Sequence, residues 1–107
     1  GEGATYGAAM KRGIALALDE VNSHGGVLNK KVVALYEDDR LTQKGGINAI
    51  NKLINANDVQ AIIGAAASKV TLAIAPFAEK ANVVLISSIS TADTIKYAGD
   101  YRSKICL

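Results

Sequence analysis

Hydroxyl and acidic side chains in this sequence gather where apolar runs stop. Ala61-Ile62-Ile63-Gly64-Ala65-Ala66-Ala67-Ser68 passes from an apolar run through a glycine and three alanines to a serine suited to cap a helix. Read as a buried parallel strand feeding a helix that starts near Ser68, it gathers about four unpaired main-chain N–H groups beside the positive end of a helix dipole. Only methyl-sized side chains stand in front of those donors, so the chemistry on offer is the binding of a small anion. Val83 to Ser87 runs in the same way into Ser87-Ser88-Ile89-Ser90-Thr91, and Lys31 to Tyr36 into Glu37-Asp38-Asp39.

Catalytic chemistry has less to work with. His24 is the one histidine and Cys106 the one cysteine, so neither a zinc cluster nor a histidine-based triad can be assembled. His24 belongs to Asn22-Ser23-His24-Gly25-Gly26, the pattern of a helix terminus, where a histidine caps carbonyls. Cys106, beside the C-terminus, reads as a small apolar residue of a last strand. A phosphate-binding loop needs glycine and then lysine where Lys69 and Val70 stand, and its second glycine is missing. A receiver domain would use an acidic pair such as Asp38-Asp39, but it also needs an aspartate ending the third strand, where this chain has Gly64-Ala65. The sequence therefore predicts no enzyme, no metal and no cofactor.

Composition narrows the classes further. The 107 residues are half apolar, enough for one domain with a core, and 12 basic against 10 acidic residues leave a net charge of +2. These charges are interspersed and aromatic residues are 5% of the chain, which leaves no footprint for a nucleic-acid surface. No apolar segment reaches the roughly 18 residues a membrane span needs. The N-terminus lacks a signal pattern, so any export signal is expected to have been removed already.

The elements that must position these groups follow from periodicity. Gly1 to Gly7 reads as a loop with Thr5 as N-cap, after which Met10, Ile14, Ala17, Leu18 and Val21 place one apolar stripe on a helix of about 15 to 18 residues. Gly25-Gly26 ends it, and Lys31 to Tyr36 follows as a strand closed by an acidic turn. Thr42 caps a second helix whose buried face is Ile47, Ile50, Leu53 and Ile54; Gly45-Gly46 means that it starts late or that its backbone packs close to something. Asn55 to Asp58 ends it. A third helix carries Val70, Ile74, Phe77 and Ala81, with Pro76 expected to kink or split it. Lys104 to Leu107 reads as the start of a further strand. Near-continuous apolar strands alternating with helices argue for a parallel α/β sheet covered on both faces, with binding groups collected beyond the carboxyl ends of the strands.

Several of these stretches together resemble the type I periplasmic solute-binding proteins, the leucine/isoleucine/valine-binding family. They are Tyr6-Gly7 before a helix ending Ala17-Leu18-Asp19-Glu20-Val21-Asn22-Ser23-His24-Gly25-Gly26-Val27, then Tyr36-Glu37-Asp38-Asp39, Lys52-Leu53-Ile54, Val59 to Gly64, Ser68, and Ile86-Ser87-Ser88 with Ser90-Thr91. The resemblance spans nearly the whole chain. It implies a three-layer αβα lobe with a mainly parallel, flavodoxin-like sheet, holding an amino acid or similar small solute for an ABC importer, outside the cytoplasm in the periplasm or as a lipid-anchored or secreted bacterial protein. In such a lobe the ligand carboxylate is held at Ser68 and nearby main-chain N–H groups, and the ammonium group falls to Ser88, Ser90 and Thr91. Tyr6 takes the place of an aromatic residue in the first loop that closes over the ligand. The rival reading is a ligand-sensing regulatory or receiver-like domain of related α/β fold.

Two departures from the family accompany the resemblance. The family's first strand, central in the order 2-1-3-4-5, and its second lobe are absent, so residues 1–107 are expected to form a single domain, an incomplete N-terminal lobe, that does not bind ligand by itself. Val32 to Tyr36 and Ala61 to Ile63 would then carry unpaired edges, and the sequence predicts that two copies pair as a homodimer.

Overall fold

Gly25 and Gly26 show how local chemistry sets the first unit of the chain. In the computed structural model, which describes residues 2–87 and 102–104, the chain divides into two units, Gly1–Tyr36 and Glu37–Leu107. Helix α1 (Glu2–Ser23) ends in a Schellman turn: the Gly26 N–H donates to Val21 O at 2.9 Å and the Gly25 N–H to Asn22 O at 3.2 Å, with Gly25 at φ 99°. His24 Nδ1 lies 2.8 Å from Glu20 O, a carbonyl cap as expected.

α1 starts earlier than the sequence suggested, and the expected loop through Gly7 with a Thr5 cap is not there. Gly3 and Gly7 each weaken a helix by about 1 kcal/mol against alanine. That is too little to stop one that Ala4, Ala8, Ala9 and Met10 propagate and no proline interrupts. The expected stripe is half-buried at Met10, Ile14 and Leu18, whereas Ala17 and Val21 are exposed.

Beyond α1, Leu28 and Asn29 at φ 52° and 64° make a two-residue turn closed by reciprocal bonds of 2.9 Å between Val27 and Lys30. The strand expected over Lys31 to Tyr36 is not formed: this segment joins no ladder among the described residues. Its alternation survives, with Val32 and Ala34 half-buried and Val33 and Leu35 exposed. An apolar alternating run is a strand only when a neighbour takes up its N–H and C=O groups. Asn22 does so at one residue: its Nδ2 donates to Val32 O at 2.9 Å and its Oδ1 accepts from Val32 N at 2.8 Å.

The second unit opens with a run of side-chain-to-backbone bonds. Asp38 and Asp39 accept from the N–H groups of Arg40 and Leu41, each at 2.8 Å, which supports those residues at φ 53° and 55°. Thr42 then caps α2 (Gln43–Asn51), its Oγ1 accepting from Gly45 N at 2.9 Å. The helix does not start late. A Cβ built on Gly46 would meet Val70 Cγ1 at 2.5 Å and Ile74 Cγ2 at 3.2 Å, so the glycine lets two helices approach. A π-helical turn (Lys52–Ala56) continues α2.

Strand β1 (Ala61–Ile63), helix α3 (Ser68–Lys80), strand β2 (Val84–Ser87) and strand β3 (Arg102–Lys104) complete the described chain. α3 is a single helix despite Pro76, which stays exposed while Val70, Ile74, Ala75 and Ala78 hold the helix on the core. The strands are parallel in the order β1-β2-β3, with Ile62 opposite Leu85 and Leu85 opposite Arg102. β3 takes in Lys104, the first residue of the strand expected at Lys104 to Leu107, whose remaining residues lie outside the described ones, and it also includes Arg102 and Ser103, which pair with β2. Cys106 is outside the described residues.

Ile50, Ile62, Val70, Ile74, Ala75, Ala78, Val83 and Leu85 form the core. Ile62 and Leu85 are buried on one face, but Ile63 and Val84 on the other are 50% and 38% exposed.

Candidate functional site at the strand ends

β1 passes its last main-chain bond from Gly64 N to Ile86 O, 3.0 Å, and then turns. The turn Ala65 to Ala67 brings the end of β1 to the head of α3, and the parallel register sets it beside Ser87 at the end of β2. Ser87 is 2% exposed. The Gly64–Ala65 peptide is cis.

Ser68 is not the cap that the sequence suggested. Ala67, at φ −87° and ψ 132°, is the N-cap, has no side-chain cap bond, and accepts at its carbonyl from Val70 N and Thr71 N, both at 3.1 Å. Ser68 is the first helical residue and half-buried. The hydroxyl that organises this turn comes from Thr71, which is 1% exposed. Its Oγ1 accepts from Ala65 N at 2.8 Å and lies 3.2 Å from Ala65 O and 3.3 Å from Ala67 O. One hydroxyl proton can serve only one of those carbonyls at a time.

The N–H groups of Ala66 and Lys69 make no hydrogen bond among the described residues. They stand in the first turn of α3 or just before it, where the partial positive charge of the helix gathers. This corner therefore has two main-chain donors that no described residue takes up, on a turn whose own residues, Ala65 to Ala67, carry only methyl side chains.

The other expected site residues fare differently. The backbone of Tyr6 lies inside α1 rather than in a loop, and its side chain is outside the described residues. Ser88, Ser90 and Thr91 are outside the described residues as well. Asp38 and Asp39 are taken up by their turn. Among the described residues no group of three or more His, Cys, Asp or Glu could hold a metal ion, and no helix is long and apolar enough to cross a membrane. The first unit has an open groove of about 280 Å³ lined by Leu18, Asp19, Asn22, Lys31, Val32 and Tyr36 among others. Lys11 Nζ lies 4.7 Å from the Tyr36 ring centre.

Thr71 and Asn22 are the residues that sequence reasoning missed. Each is a polar residue on an otherwise ordinary helix, and each acts on a main-chain segment outside it. A threonine four places after the cap position carries no sequence signal of that kind.

The sequence profile of the periplasmic binding protein family matches residues 1–103. The chain belongs to that family. Among its relatives is the Leu/Ile/Val-binding protein BraC3 of Rhizobium johnstonii, 30% identical over 90% of this chain and 26% of the relative. The branched-chain amino acid transporter substrate-binding protein LivJ of Streptococcus pneumoniae, solved in complex with isoleucine, superposes with a TM-score of 0.87 at 32% identity, over 92% of this chain and 28% of that one. The leucine-binding protein LivK of Thermotoga maritima does so at 0.80 and 33% identity, over 89% of this chain and 26% of that one. The chain thus spans about a quarter of the length of the periplasmic binding proteins it matches. Its fold is that of part of a periplasmic-binding-protein lobe, α/β with a parallel sheet.

Proposed function

We propose that this chain supplies one ligand-binding corner of the substrate-binding component of an ABC importer for branched-chain or similar small amino acids. The observation that carries the reading is the β1–α3 turn, where the Ala66 and Lys69 N–H groups lack partners among the described residues beside Ser68. It occurs in a chain 32% identical to a binding protein solved with isoleucine. In this reading the solute carboxylate is held by those N–H groups and by Ser68. Its ammonium group falls to Ser88, Ser90 and Thr91, and Tyr6 covers the bound solute. Residues 1–107 are then one segment of the N-terminal lobe of a two-lobed receptor. Membrane subunits of the importer are its partners, in the periplasm or at the outer cell surface, with a lipid anchor or as a secreted protein. The reading asks for solute capture without turnover.

For the chain by itself we retain pairing of two copies as a proposal. The segment 31–36, which joins no ladder among the described residues, and the exposed side chains of Val33 and Leu35 favour it, and the comparisons lend it no support. Light scattering on a sizing column at micromolar concentration tests it: a stable species of 11.1 kDa removes the proposal.

Titration calorimetry of the complete gene product with L-leucine, L-isoleucine and L-valine tests the main reading. Saturable binding of at least one of them at one site is expected. Heats indistinguishable from dilution for all three would defeat it.

A further inference from the structure

Thr71 does more than a threonine on a helix normally does. A helical threonine commonly returns its hydroxyl to the carbonyl four residues back, and here that carbonyl is Ala67 O at 3.3 Å. The unusual bond reaches outside the helix: Oγ1 accepts from Ala65 N at 2.8 Å and also lies 3.2 Å from Ala65 O. Both polar groups of one turn residue are thereby gathered on one hydroxyl that is 1% exposed and has no access to a solute.

We propose that Thr71 is the positioning residue of this corner: by engaging Ala65 it fixes the turn so that the Ala66 and Lys69 N–H groups, and not the Ala65 N–H, are the donors offered to a carboxylate. The inference rests on the reading of the site given above. Four consecutive small residues, Gly64 to Ala67, have no polar side chains with which to brace themselves, and the cap residue Ala67 makes no side-chain cap bond. The bracing comes from the helix the turn feeds into. Loss of the hydroxyl would remove the bond it makes to the buried Ala65 N–H, and the turn would relax in response.

The test uses Thr71→Val, which keeps the shape and loses the hydroxyl, Thr71→Ser, which keeps the hydroxyl, and Ile74→Val as a core change on the same helix. In ¹⁵N-labelled 107-residue chain, the Ala66 and Lys69 amide resonances should move in Thr71→Val, return in Thr71→Ser, and stay in place in Ile74→Val. In the complete gene product, L-leucine should bind roughly tenfold more weakly to Thr71→Val, the effect of about one hydrogen bond, and near the native affinity to the other two variants. Amides of Ala66 and Lys69 unmoved in Thr71→Val, or a Thr71→Ser protein that shifts them as far, would overturn the proposal. Should Thr71→Val not fold, Thr71→Ser with the native amide pattern supports the proposal and without it refutes it. The amide readout needs no ligand, so a native protein that ignores leucine would refute the site reading and leave this result standing.

Discussion

The two units of this chain use apolar residues to different ends. In Glu37–Leu107, Ile50, Val70 and Leu85 are at most 2% exposed, and α2, α3, β1 and β2 share one core. In Gly1–Tyr36 none of the described side chains, those of residues 7–36, is buried, and Leu16, Leu28 and Val33 are 71%, 89% and 70% exposed. The first unit is held by directed bonds, the Schellman turn of Gly25 and Gly26 and the Asn22 amide on Val32. The second is held by burial. The same hydrophobic patterning gave a core where a parallel neighbour closed the ladder, and a half-buried segment where, among the described residues, the main chain of Val32 met the Asn22 amide.

Substitutions should separate the two modes, most sharply at the core. Leu85→Ala should lower unfolding free energy by about 2–5 kcal/mol, the range for a buried leucine, while Leu16→Ala should change it by less than about 0.5 kcal/mol, as for exposed sites. Urea melts of both variants give the contrast; equal losses would dissolve it. Glycine makes a second test. Gly46→Ala should destabilise by about 1–3 kcal/mol, because its methyl group would press on Val70 and Ile74. Gly13→Ala, whose new Cβ would meet open space, should instead stabilise α1 by up to about 1 kcal/mol. The sign of the two shifts in thermal midpoint is the measurement. A more local effect is expected at Asn22→Ala. It should cost about 1 kcal/mol, with faster hydrogen exchange at the Val32 amide and unchanged exchange at Ile62 and Leu85.

Much of the second unit was legible because its signals are local. Thr42 as a cap, Ile50 as core and the acidic turn follow from residue type and spacing, and of the two readings of the glycine pair, a late start or a close approach, Gly46 shows the second. The resemblance carried in Tyr36 to Asp39 and Val59 to Gly64 pointed to the family that the profile match shows. What was not legible depends on partners far away in the chain. Lys31 to Tyr36 has the composition of a strand, yet its status turns on whether a neighbour exists. Arg102 to Lys104 lacks that composition and is a strand because β2 pairs with it. α1 starts ahead of the Thr5 cap that the sequence suggests, because the alanines beside Gly3 and Gly7 sustain the helix. At the site, the passage from strand through a small-residue turn into a helix was readable, whereas the cap falls at Ala67 rather than Ser68, and the Thr71 hydroxyl that accepts from Ala65 N carries no sequence signal.

The central claim is that the corner at the head of α3 holds a solute carboxylate. The most direct measurement is calorimetric titration of the complete gene product and its Ser68→Ala variant with L-leucine, alongside their thermal midpoints. The account expects affinity to fall by roughly 1.5–3 kcal/mol, as for a hydrogen bond to a charged group, with little change in midpoint. Equal affinity of the two proteins would contradict it.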